Sequence, residues 1–282
     1  MDCAAIDFGG SVTDVVLRRG GGDEALRAEL AVDRPTVDDV LRLLQAARAG
    51  AEDFTPAFVA VTGGRSAELP PTADGIPLVS VDESAATAAG ALRSGVPTPA
   101  VVVSLGTGTG IVVARPPEEP LRLIGSGVGG GTLIGLARLL LGTEDVQEIG
   151  ALVQRGDPAR CDLTVGDIVG GAVGPVQPEA MAAHFGRLTR ADGSTAREDV
   201  AAALVRLVGQ TALRLSIDSV MVHQALAIVL VGHVLDIPGF RASILSTPGV
   251  DESFVHMPAD PGFAVARGAL DVARAARGDL AG

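Results

Sequence analysis

Apolar, β-branched runs without helical period alternate along this chain with stretches whose apolar residues recur every three or four positions. Residues 4–8 and 12–17 read as two strands around the turn Gly9-Gly10-Ser11. Val37, Val40, Leu41, Leu43 and Leu44 give one apolar face to a helix over 36–49, with Thr36 as its N-cap. A strand at 58–61 runs into a second glycine turn, Thr62-Gly63-Gly64, and Pro70 and Pro71 mark a loop. A short strand at 76–81 precedes Asp82-Glu83-Ser84, which opens an alanine-rich helix ending near Gly95. Residues 101–104 and 111–114 form a further strand pair around Gly106-Thr107-Gly108-Thr109-Gly110. Gly125, Gly127 and Gly129-Gly130-Gly131 then lead into an apolar helix at 132–141.

Helices are expected at 143–154 and 197–222, the second softened at Gly209, with a Gly- and Pro-rich loop at 166–178 between them. A strand at 227–231 ends in Gly232-His233, followed by a helix at 237–245, a strand at 254–257 and a closing helix at 262–277. The unit of strand, glycine turn and strand occurs at the start and again past residue 100. That repetition predicts an α/β protein of two related lobes with mixed sheets and a cleft between them. The lobes are expected to cover 1–95 and 96–282, with the closing helix packing back on the first.

Composition narrows the chemistry. The 282 residues are 47% hydrophobic, ample for a large core, and the net charge of −12 speaks against nucleic acid or an anionic membrane as partner. No lysine occurs, which excludes Schiff-base catalysis and the lysine of a Walker P-loop. Any phosphate must be met by backbone N–H groups, arginine or a metal. Trp and Tyr are absent, so aromatic platforms for single strands are not expected. Cys3 and Cys161 read as reduced, buried thiols. No secretory leader and no apolar run of membrane-spanning length is visible, and the reading is a cytoplasmic protein.

Glycine turns let a backbone approach a polyanion and aim N–H groups at it, and a glycine cluster opening a helix adds the positive end of the dipole. Each turn alone also reads as an ordinary hairpin or helix entry, but three in one chain point to nucleotide phosphate. Asp7, at a strand end beside such a turn, is suited to hold a hydrated Mg²⁺. Glu83 reads two ways: an acidic residue favourable to the helix dipole, and a carboxylate at the sheet edge where ligands bind.

DFGGS with its following strand, VTGG at 61–64 and SLGTGTG at 104–110 resemble the ATP-binding loops of the actin-like ATPase and sugar kinase superfamily. The spacing from Arg122 to GGGTLIGL, the segment QRGDPARCDLTVGDIVGG and the later HFG are similar to the type II pantothenate kinases. The resemblance implies a two-lobed actin-like (ribonuclease H-like) fold, ATP and Mg²⁺ as cofactors, and phosphorylation of pantothenate or a similar small alcohol in coenzyme A biosynthesis. It implies Glu83 as the catalytic carboxylate and Arg122 as the arginine that contacts substrate and phosphate. Asp7, Gly9, Gly10, Ser11, Gly106, Thr107, Gly108, Thr109, Gly129, Gly130, Gly131 and Gly232 would bind ATP, with Asp7 reaching the metal through water. A homodimer with helix 197–222 at its interface is also implied.

The chain departs from that pattern at four positions. Asp14 stands in place of a lysine, Ser104 of an asparagine, Gly110 of a serine or threonine, and Ala85 of an aspartate. These departures keep open two alternatives, a kinase for another small alcohol and a non-catalytic ATP-binding regulator. Asp14 beside polyphosphate requires distance, a second metal ion or a changed role, and Asp14→Lys is expected to strengthen ATP binding.

Overall fold

A computed structural model of the chain describes residues 1–19, 22–28, 34–47, 54–190 and 195–278. The first sheet contains β1 (Cys3–Phe8), β2 (Thr13–Arg19), β3 (Gly22–Ala28), β4 (Val59–Thr62), β5 (Thr72–Ala73) and β6 (Ile76–Ser80), in the order β3-β2-β1-β4-β6-β5. β1 runs antiparallel to β2 and parallel to β4. It is covered on both faces, which is why Cys3 to Ile6 are continuously apolar rather than alternating. Ile6 and Phe8 face helix α1 (Val37–Ala47), which presents Val40, Leu43 and Leu44. Cys3 and Ala5 face the opposite way.

Helix α2 (Glu83–Leu92) leads to the second sheet, whose strands β7 (Ala100–Leu105), β8 (Thr109–Ala114) and β9 (Leu121–Ser126) form an antiparallel meander. Helices α3 (Gly130–Leu141) and α4 (Val146–Val153) follow, then an excursion of β10 (Leu163–Thr164), α5 (Val165–Val169) and β11 (Met181–Ala183). The long helix α6 (Arg197–His223) returns to β12 (Ala227–Val231), α7 (Phe240–Leu245), β13 (Val255–His256) and α8 (Ala264–Ala276). The order β13-β12-β7-β8-β9, with β12 parallel to β7, repeats the plan of the first sheet. The expected duplication is therefore present.

Two helices exchange places between the lobes. α2 sets Ala88 and Ala91 against the second sheet, while α8 sets Ala266, Ala269 and Leu270 against the first. They touch backbone to backbone: a Cβ on Gly90 would fall 1.8 Å from the Ala264 carbonyl oxygen, and one on Gly268 would fall 1.9 Å from that of Ala86. At the end of this pair remote from the glycine turns, Arg18 and Arg93 each bind both Asp23 and Asp271 at 2.5–3.2 Å. This closed ring of two cations and two anions joins β2, β3, α8 and the residue after α2.

Several elements differ from the sequence reading. β3 and β9 were not expected; β3 reads GDEALRA, with helix-forming residues that become strand through pairing to β2. The stretch 166–178, expected as loop, begins inside α5, where Thr164 and Asp167 cap each other reciprocally. The helix expected from 237 starts only at Phe240, because Gly239 precedes it at φ +85°. The last two residues of the helix expected at 36–49 lie outside the described residues. α6 passes Gly209 unbroken, that glycine lying against Ile244 and Phe240. By length and composition α6 is apolar enough to cross a membrane, contrary to the sequence reading, but 61% of its most apolar 18-residue window is buried inside the protein.

Candidate active site

The cleft is built from strand ends. Asp7, near the end of β1, stands opposite Asp14 on β2 and Thr62 on β4. The next turn presses against it: a Cβ on Gly63 would lie 2.3 Å from Asp7 Oδ1, and Gly63 adopts φ +74°. Asp7 is partly open to the cleft, yet burial pushes its carboxyl up to about 7, with help from the negative fields of Asp14 and Glu83. The site thus favours a positive ion or a proton at Asp7. Among the described residues no group of three His, Cys, Asp or Glu side chains is arranged to hold a metal ion.

The glycines do different jobs. The turn after β1 and the turn after β7 meet directly, Ser11 Oγ lying 2.8 Å from Thr107 Oγ1. A Cβ on Gly10 would sit 2.9 Å from that Thr107 oxygen. Gly106 differs: a Cβ there would meet nothing nearer than 4.0 Å and would project into the cleft.

The cluster at the start of α3 departs from the expectation of free N–H groups. Gly130 N–H donates to Gly106 O and Gly131 N–H to Thr107 O, both at 2.8 Å, and Gly129 N–H reaches Thr132 Oγ1 at 3.3 Å. These amides hold the β7–β8 turn down on the helix rather than facing an anion, and Gly129 is pressed on Gly108. Thr109 is likewise a peg, buried and donating to Val128 O at 2.7 Å. Gly232, at φ +108°, would bring a Cβ 2.3 Å from Leu105 O, so its glycine is required by packing and backbone together.

Two chambers open from these turns. One, of about 360 Å³, reaches between α3 and α4 past Ile134, Val146, Val234 and Ile237. The other, of about 310 Å³, contains Glu83, Arg122, Ser126, Gly108 and Gly110. Asp7, Gly9, Gly10, Ser104, Gly106 and Thr107 line both, so the chambers share the glycine turns as a common wall.

Glu83 is set by the start of α2. Asp82 caps the helix by accepting from Ser84 N and Ala85 N, which leaves the Glu83 side chain free to face the polar chamber. Arg122 reaches the same chamber from β9 and places Nη1 3.5 Å from Glu83 Oε2. Both side chains are about half exposed, at 49% and 61%, so this pair contributes little stability and is open to a ligand.

The Fumble family model matches residues 80–247. The chain belongs to the Fumble family. Relatives include the type II pantothenate kinase of Bacillus cereus (strain G9842), 30% identical over 188 residues, 63% of this chain and 67% of that protein. The type II pantothenate kinase of Oceanobacillus iheyensis is 32% identical over 181 residues, 62% of this chain and 66% of that protein. With that of Bacillus anthracis the matched stretch spans 49% of the relative's length. Among solved structures, the activator of the 2-hydroxyisocaproyl-CoA dehydratase from Clostridium difficile with bound ADPNP has a TM-score of 0.63 at 17% identity, covering 100% of this chain and 99% of that one. A ROK family glucokinase from Streptomyces griseus in complex with glucose and AMPPNP has a TM-score of 0.54 at 16% identity, covering 98% and 100%. These likenesses carry the two-lobed, actin-like fold.

Seen as a Fumble-family site, the cleft brings Asp7, Gly9, Gly10, Ser11, Glu83, Gly106, Thr107 and Arg122 together, with Thr109 and Gly232 lining its chambers while also fixed by packing, and sets Gly129 behind them in the scaffold. The family segment around 155–187 is scaffold too: Asp162 is buried, accepts from Phe185 N at 2.9 Å and pairs with Arg206 at 3.3 Å. The sequence reading missed His233. It noted the Gly232-His233 turn but not that the ring reaches Asp14, whose carboxylate is thereby paired. Asp14 is 4% exposed, so a lysine placed there would sit against the imidazole instead. The expected gain from Asp14→Lys is withdrawn on this ground.

Proposed function

We propose that this protein transfers the γ-phosphoryl group of ATP to the primary hydroxyl of pantothenate. The observation that carries this reading is the pair of chambers meeting at the glycine turns. The apolar one suits a nucleoside and the polar one holds Glu83 and Arg122. The relatives named type II pantothenate kinase supply the acceptor.

Glu83 takes the proton of the attacking hydroxyl as its oxygen bonds to the γ-phosphorus. The bond from that phosphorus to the bridging oxygen breaks, and ADP leaves with the electron pair. Arg122 stabilises charge on the phosphoryl oxygens in transit. Mg²⁺, held at Asp7 through water, would neutralise charge on the β- and γ-phosphates.

A coupled assay of ADP release with pantothenate tests the reading directly. Turnover is expected with the parent chain and not with Gly106→Val, which fills the shared wall while leaving the fold intact. ATP hydrolysis without any acceptor dependence would point to a regulator instead. We further infer a cytoplasmic homodimer. Its support is the far turn of α6, where Met221 and Val222 remain exposed. A one-chain mass by light scattering would contradict the dimer.

A further inference from the structure

The nucleotide chamber is lined by three carboxylates, Asp7, Asp14 and Asp236, and by one basic side chain, His233. A polyphosphate entering it meets like charge unless something cancels it. His233 Nε2 lies 2.9 Å from Asp14 Oδ1, and Nδ1 lies 2.8 Å from Asp236 Oδ2. An ionised carboxylate only accepts, so two such partners require a proton on each ring nitrogen. With both carboxylates ionised, the ring carries both protons and is an imidazolium.

Its place is fixed from several sides. Asp14 comes from β2 of the first sheet, whereas His233 follows β12 of the second, so their bond crosses between lobes. Gly262 packs so close that a Cβ would lie 2.1 Å from His233 Nδ1. Phe263 meets the ring edge-on at 5.2 Å. Asp236 is itself approached by Arg241 at 3.7 Å. Asp14, His233, Asp236 and Arg241 then alternate in sign, with Asp7 a further carboxylate in the field of His233.

We propose that His233 is a positioning residue for the nucleotide, a charged clasp that ties the lobes at the floor of the cleft and cancels Asp14 where polyphosphate lies. This rests on the phosphoryl-transfer reading above. Without the clasp, Asp14 is a bare buried carboxylate facing the phosphates. Removing both partners removes that charge, so the double variant separates charge cancellation from simple packing.

The test is calorimetric titration of Mg·ATP into the full chain and into H233Q, D14N and D14N/H233Q, with a melting curve on each and ADP release for KM and kcat. H233Q is expected to bind ATP at least about tenfold more weakly, the loss falling on KM for ATP more than on kcat. D14N/H233Q is expected to recover binding to within about threefold of the parent. The ¹⁵N spectrum of the four histidines should show one ring protonated on both nitrogens near neutral pH, a signal that H233Q lacks. Unchanged ATP affinity in H233Q, a double variant no better than the single, or a neutral ring at His233 overturns the clasp. Should H233Q fail to fold, the double variant and the ¹⁵N signature decide. If the parent itself binds no ATP, the phosphoryl-transfer reading falls and takes the clasp with it. Parent binding with H233Q unchanged sinks the clasp alone.

Discussion

The two ends of helix α2 use the same kinds of side chain for opposite purposes. At its start, Glu83 and Arg122 stand 3.5 Å apart, about half exposed, with no second ion-pair partner for either among the described residues. At its end, Arg93 joins Arg18, Asp23 and Asp271 in a ring where each charge meets two of opposite sign, and Arg18 and Asp23 are only 11% and 10% exposed. The first arrangement is loose and accessible, as a site that must admit a substrate requires. The second is saturated, as a joint requires. Charge pairs in one helix are thus read by their burial and partner number, not by their presence.

The joint between these ends can be broken most severely at its tightest point. Gly90→Ala puts a methyl on the Ala264 carbonyl oxygen, so α2 and α8 must part. A loss of about 3 kcal/mol in a denaturant titration is expected. A variant as stable as the parent would show that the two helices slide freely.

At the open end, Glu83→Gln should lower turnover by about a hundredfold, or about 2.7 kcal/mol on the barrier, while the melting temperature stays put. Full turnover with slightly reduced stability would instead make Glu83 a helix-start charge. At the saturated end, Asp23→Ala should do the reverse. It strips Arg18 of its shortest contact and is expected to cost about 2 kcal/mol of stability with kcat unchanged. Equal effects of Glu83→Gln and Asp23→Ala on stability would erase the contrast.

The smallest effect concerns Asp7. Its carboxyl lies near 7 in the folded chain against an ordinary value of 3.8. The folded state therefore binds the extra proton between those values, and this group's contribution to stability falls as pH rises from about 4 to 7. Water entering from the cleft trims the effect, so Asp7→Asn should stabilise the nucleotide-free protein by about 1–2 kcal/mol at pH 7 and by nothing at pH 4. Melting curves at the two pH values check this.

How far the sequence reaches can be seen residue by residue. The pairs β1/β2 and β7/β8 were legible because apolar runs flank glycine turns, and their repetition disclosed the two lobes. β3 was not, since its polar, helix-forming residues become strand only on contact with β2. Glu83 and Arg122 were placed by motif and do share a chamber. The role of Gly130 and Gly131 was illegible, because a helix-start amide is free or spent depending on whether another loop touches it. Nor does any local pattern announce that His233 reaches Asp14, 219 positions away.

The exchange of α2 and α8 also bears on how the chain is made. Cys3, Ala5, Val16, Phe58 and Ala60 are synthesised early, but the face they form is covered by Val265, Ala266, Ala269 and Leu270. At a translation rate of about 5–20 residues per second, the completed face waits roughly 10–40 s for its cover. During this interval the first lobe is a half-finished layer at the ribosome, and the hydrophobic face of β1 and β4 is a natural place for a chaperone to hold it.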